Sequence, residues 1–222
     1  MPSRNDLPPR PARGSLSRAR ILETALQIAD ESGLESLSMR RLGAQLGVEA
    51  MSLYNHVPNK AALLDGMVEI MLEEMPTPGP GGSRSERLHE MAWAVRSALR
   101  AHPGAAPLFA TRPAVTPASL KPVESTLGLL RGLGLSPDES LSALQVLVTY
   151  VVGHTLSQVG AARADEVSRP RYEALPREEF PHLTEVAALL PAHDGENEFD
   201  LGLDAFLTGL RARVRRSAPK KA

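Results

Sequence analysis

The sequence predicts an all-α fold, and three observations carry that prediction. Apolar residues recur at three- and four-residue spacings along most of the 222-residue chain, whereas few segments alternate with period two. Glycines and prolines gather at a few points and leave long stretches free of breakers. Most of those stretches open on a Ser, Thr or Asn able to cap a helix. With 42% apolar and 23% charged residues, the composition is ordinary for a globular protein.

Four prolines among residues 1–11 mark a flexible basic arm, residues 1–14. The first helix runs from about Arg18 to Ser32, with Ser17 as its N-cap, Gly33 as its stop, and Ile21, Leu22, Ala25, Leu26 and Ala29 as its apolar stripe. Ser38 caps a short helix carrying Leu42 and Leu46, which Gly47 ends. A second short helix, about Ala50 to His56, turns Leu53 and Val57 inward before Pro58 breaks it, and Asn59 caps a longer helix from Lys60 to Met75. The stretch Pro76 to Gly82 holds three prolines and three glycines; it cannot be regular structure and is the best internal boundary.

Beyond that boundary the helix starts are better marked. Ser83 with Glu86 fits a capping box, Thr116-Pro117 is a cap followed by proline, and Ser136-Pro137-Asp138-Glu139 combines both devices. The last signal decides how Val146 to Val152 is read. Propensity alone makes it a strand, but Leu141, Leu144, Val148, Val151, Thr155 and Val159 recur at helical spacing behind a strong start. The segment is therefore predicted as a helix to about Ala162, apolar nearly all round and covered on more than one side. The final helix, about Glu198 to Arg216, sets Phe199, Leu203, Phe206 and Leu207 on one face and the small residues Gly202, Ala205, Gly209 and Ala212 on another. Two such helices suggest a bundle completed by a second copy of the chain; the alternative is packing within one chain.

Several function classes drop out. Cysteine is absent, which excludes disulfides, thiolate metal sites, iron–sulfur clusters and cysteine nucleophiles. The histidines are scattered, and no HExxH, GxSxG, phosphate-binding loop or GxGxxG in a strand–helix setting occurs. The pairs Glu69/Glu73 and Glu86/Glu90 read as solvated faces. No enzyme, metal or cofactor is expected. The opening Met1-Pro2-Ser3-Arg4-Asn5-Asp6 leads into no apolar core of a signal peptide, and Val146 to Val152 is too short to cross a bilayer. A cytoplasmic protein without membrane contact is the expectation.

Net charge is only −1, yet it is unevenly spread. Residues 1–20 carry five arginines against one aspartate, whereas residues 61–200 carry eleven basic against nineteen acidic side chains. A basic head on an acidic body suits a chain that offers one end to a polyanion, and a merely solvated arm explains the charge equally well. The C-terminal run from Arg211 to Lys221 complements a helix dipole and gets no binding role.

Two short helices joined by a glycine-containing turn, Ser38 to Val57, describe a helix-turn-helix, with Leu42, Leu46, Val48, Leu53 and Val57 as its small core. The pattern Leu53-Tyr54-x-His56-Val57-x-Asn59-Lys60-x-x-Leu63-Leu64, preceded by Leu42-Gly43-x-x-Leu46-Gly47-Val48, resembles the TetR family of bacterial transcriptional repressors. Ala25-Leu26-x-Ile28-Ala29 and Gly33-Leu34-Glu35 extend that resemblance, which covers roughly residues 15–65. Thr111-Arg112-Pro113, Gly134-Leu135-Ser136 and the helix after them are similar to the regulatory domain of the tetracycline repressors, over roughly 85–215. The resemblance implies a helix-turn-helix DNA-binding domain at 15–62, a helical ligand-binding and dimerisation domain at 63–217, and a tail at 218–222. It implies a homodimer on double-stranded operator DNA, released by a small-molecule effector. A helical ligand-binding or protein-interaction module without operator binding is the competing expectation, and it leaves the arginine-rich arm and the helix-turn-helix unexplained.

Site residues follow from the same resemblance. Arg40 can contact guanine or a phosphate, Ser52 and Asn55 can bond base edges, and Ala50 and Met51 can meet a thymine methyl. Tyr54 and His56 match positions held against the phosphate backbone, and Lys60 at a capped helix start suits a phosphate. The arm adds Arg10, Arg13 and Arg18 as candidate phosphate or minor-groove contacts. The magnesium ligands of the tetracycline repressors fall on Leu108 and Ser157, and a drug-contacting asparagine falls on Met91; none supplies the donors required. A largely apolar ligand is expected instead, among Met71, Met91, Trp93, Arg96, Phe109, Leu130, His154 and Gln158, though several of these read equally well as core.

Overall fold

The computed structural model describes residues 16–76, 79, 81–163, 172–190 and 194–217. The expected arm (1–14) and tail (218–222) lie outside the described residues. The helices are α1 (Arg18–Ser32), α2 (Met39–Leu46), α3 (Ala50–Leu53), α4 (Lys60–Glu73), α5 (Arg84–Ala101), α6 (Leu108–Thr111), α7 (Pro117–Gly132), α8 (Pro137–Arg163), α9 (Pro181–Ala187) and α10 (Gly195–Ser217), and no strand occurs among the described residues.

Local chemistry sets the helix starts. The side chains of Ser17, Ser38 and Asn59 accept backbone N–H groups of Arg20, Arg41 and Ala62, and Ser83 and Glu86 complete a reciprocal capping box. Gly47 ends α2 in the left-handed region, at φ 69°. Elsewhere the chain departs from expectation. Leu34–Ser36 forms a 3-10 turn. α3 closes at Leu53 rather than His56, because the N–H groups of Tyr54 and His56 reach back to Met51 and Leu53, three residues away, tightening the chain ahead of Pro58. α10 begins at Gly195, where Asp194 accepts the Glu196 N–H.

The apolar stripe of α1 is buried throughout, against Leu37, Leu42, Leu53, Val57, Leu63 and Met67. This cluster continues without a break into Met71, Leu88, Leu99, Leu130, Leu147, Val151, Phe199 and Leu203. α4 joins the two ends: it packs on α1, and also touches α5, α6 and α7. α8 packs against α5, α7 and α10. Over Pro137–Gly160 it is long and apolar enough to cross a membrane, a longer run than Val146 to Val152; its packing on α5, α7 and α10 buries one side and leaves Leu141, Val146 and Val148 exposed.

Candidate nucleic-acid interface and effector cavity

The α2–turn–α3 unit is held by backbone. The Val48 N–H donates to the Gly43 carbonyl at 2.9 Å, and a Cβ on Gly43 would stand 2.9 Å from the Val48 oxygen, so the two helices meet only because that residue is glycine. With Leu42, Leu53 and Val57 turned inward, the other face looks out. Arg40, Tyr54, Asn55, His56 and Lys60 are exposed, Met51 is 73% exposed, and Ala50 and Ser52 are half-buried. The eight expected contact residues therefore reach one surface segment and its flanks. The Lys60 ammonium donates to the Leu37 carbonyl at 3.0 Å.

A cavity of about 390 Å³ lies among α4, α5, α6, α7 and α8. Val68, Leu72 and Met75 line it from α4 and its end, Met91 and Val95 from α5, Phe109 from α6. Of the expected ligand residues only Met91 and Phe109 reach it. Met71 and Leu130 are fully buried core side chains. Trp93, Arg96 and His154 instead gather at Phe199 of α10. The Trp93 and Phe199 rings meet edge to face, the Arg96 guanidinium lies against both, 4.7 Å from the first and 4.9 Å from the second, and His154 stands 5.3 Å from Phe199. Gln158 donates to Glu198. The correction has a geometric cause: two steps along a helix turn the side chain through about 200°, so Met91 faces the cavity while Trp93 faces α10. The Trp93 indole N–H donates to Asp200 at 2.8 Å and the Tyr150 hydroxyl to the Phe199 carbonyl at 2.8 Å, which makes this cluster a clamp for α10. Burial pushes the pKa of both Arg96 and His154 down.

Sequence reasoning did not place Arg112 in the cavity, although it stands in the quoted Thr111-Arg112-Pro113. Its Nε donates to Asp65 at 2.5 Å, and Asp65 belongs to α4, one turn past Lys60. The bond raises the Arg112 pKa further, so the group remains a cation. Ser119, Thr126 and Gln145 are the other polar side chains of the lining, and the Thr126 hydroxyl is already spent on the Pro122 carbonyl. Four residues beyond Asp65, Glu69 is paired with Arg18 of α1. Two separate ion pairs, about one turn apart on α4, thus tie that helix to the cavity wall and to α1.

Residues 21–67 match the profile described as bacterial regulatory proteins, tetR family, and residues 75–214 match the tetracyclin repressor-like C-terminal domain. The chain belongs to the TetR family. The HTH-type transcriptional repressor DrrR1 of Streptomyces coeruleorubidus is 36% identical over 212 residues, covering 91% of this chain and 78% of that one. The class D tetracycline repressor of Escherichia coli is 32% identical over 205 residues, covering 90% and 91%. ActR of Streptomyces coelicolor, solved in complex with actinorhodin, superposes with a TM-score of 0.79 at 33% identity, covering 90% of this chain and 99% of ActR. As a TetR-family member the chain is a ligand-responsive, DNA-binding transcriptional regulator with a helix-turn-helix head and a tetracycline-repressor-like helical domain. The family is one of regulators, not of enzymes.

Proposed function

We propose that the chain is a homodimeric repressor acting in the cytoplasm, which holds a pseudo-palindromic operator until a small, largely apolar ligand fills the cavity. One observation carries the reading: α4 packs on α1, the helix against which α2 is seated with α3, and the same α4 lines the apolar cavity. In this reading residues 15–62 form the head and 63–217 the regulatory part, so the division falls within α4. Arg40, Ser52 and Asn55 read base edges, Ala50 and Met51 meet thymine methyls, and Tyr54, His56 and Lys60 hold phosphates. Two heads about 34–36 Å apart then meet successive major grooves.

The second copy docks on α8 and α10. Val146 and Leu201 are 53% and 73% exposed, and a Cβ added at Gly153, Gly160 or Gly209 would meet nothing within 4 Å. Small, open positions on two long helices favour close helix–helix packing. Among the described residues neither carboxylate nor imidazole lines the cavity, which supports an effector other than a magnesium–tetracycline chelate. ActR was solved with actinorhodin, and that compound is the first to screen. A ligand oxygen that bonds Arg112 would compete with Asp65 and free α4 to swing the head. The competing state must bind the ligand better by the amount that operator affinity falls.

Selection from a random-sequence duplex pool tests the reading. The expected result is enrichment of an inverted repeat, bound by a dimer and released by the screened ligand. A pool that stays random would overturn operator binding and leave a ligand-binding module without DNA contact.

A further inference from the structure

His102, just past α5, joins three elements. Its Nδ1 lies 2.8 Å from a carboxylate oxygen of Asp30 near the end of α1, and its Nε2 lies 2.7 Å from Glu74 just past α4. The other Asp30 oxygen accepts the Gly104 N–H at 2.9 Å. Gly104 sits so close to α1 that a Cβ would stand 2.0 Å from the Ala29 carbonyl oxygen, and Ala105 and Ala106 are fully buried behind it. The α5–α6 connection is thus keyed into the last turn of α1, beside a cleft that shares no lining residue with the cavity.

A neutral imidazole has one N–H and can donate to only one of two carboxylates; the other nitrogen then turns a lone pair on an anion. The protonated ring donates to both. The other charged groups facing this cleft are Glu23 and Glu31 of α1, both acidic, and Arg100, two residues back on α5, is paired with Glu196. Burial alone would lower the pKa of His102, but the hydrogen bonds and charges of Asp30 and Glu74 outweigh it, and the net shift is upward.

We propose that protonated His102 is a positioning residue that ties the DNA-reading head to the regulatory body, so that operator affinity falls as the ring loses its proton. The proposal rests on the operator-binding reading above, in which the ligand-free arrangement is the one that holds DNA. Because the pKa is raised in the tied arrangement, the tie is complete below the ordinary histidine value of about 6.5 and is lost as pH climbs through the raised one.

The test uses the full chain and the duplex that it selects at pH 6. Wild-type affinity should fall roughly three- to tenfold between pH 6 and pH 8 beyond any fall in His102→Gln, since one unit of pKa difference between two arrangements is worth a factor of ten. His102→Arg, which keeps donors for both carboxylates and has no proton to lose in this range, should bind at pH 8 as the wild type does at pH 6. His56 and the rest of the outward α2–α3 face are the same in every variant, so the difference in slope between variants isolates His102. Should His102→Gln fail to fold, Asp30→Asn replaces it: the amide keeps an oxygen for Gly104 but removes one charge, and should flatten the same slope. If the wild type selects no duplex, the operator reading fails. If it selects one but wild type and variant show equal pH slopes, the tie is overturned.

Discussion

At the scale of single residues, Arg112 does most to connect the two parts of the molecule, because its guanidinium faces the cavity while its Nε holds Asp65 of α4. Replacing it by Met would leave Asp65, with a side chain 22% exposed, without its cation. Such a half-buried pair is worth about 1 kcal/mol, which shifts the melting midpoint of a chain this long by roughly 3 °C. Thermal unfolding of Arg112→Met should show that drop; an unchanged midpoint would mean the pair is merely a surface contact. On the DNA side, Lys60→Ala should weaken binding evenly across duplex sequences and lower the salt slope by about one, whereas Asn55→Ala should cost about 1–3 kcal/mol and relax preference at one base position. Caps such as Ser17, Ser38 and Asn59 were legible in the sequence because they act on the nearest backbone N–H groups. Trp93, Arg96 and His154 were not, because the side of a helix that meets a cavity rather than another helix is settled by residues far away in the chain.

Among elements, α8 shows a start signal overriding propensity. Ser136 accepts the Glu139 N–H and Glu139 accepts the Ser136 N–H, so the helix is launched before the β-branched run is reached. That much was readable. The length of α3 was not, since its end depends on the three-residue hydrogen bonds that pull Tyr54 and His56 back ahead of Pro58. Nor was the seating of the α5–α6 connection on α1, which no periodicity announces. It has a measurable consequence. Because the obstacle at Gly104 is backbone of α1 rather than a side chain, Gly104→Ala must displace one element from the other. Overpacking of this kind costs about 2 kcal/mol, so the melting midpoint should fall by roughly 4–8 °C. A midpoint within a degree of the wild type would show that the connection is free to move.

For the whole molecule, the surface that one chain leaves uncovered becomes the question. Leu201 of α10 is 73% exposed, and among the described residues the space beside Gly153 and Gly160 of α8 and Gly209 of α10 is open as well. In a two-fold dimer every substitution enters twice, and a carboxylate placed on the axis faces its own copy. Leu201→Glu should therefore give a monomer by light scattering at micromolar concentration. Far-UV circular dichroism should stay unchanged, since the side chain touches little of its own chain. Operator affinity should fall with it. Two linked heads bind a repeated site more tightly than one by about 10²–10⁴, so the monomer should lose a factor of that order and protect one half-site in footprinting instead of two. A Leu201→Glu chain that still runs as a dimer and still protects both half-sites would place the partner on another face, and would separate the reading of the head from the reading of the bundle.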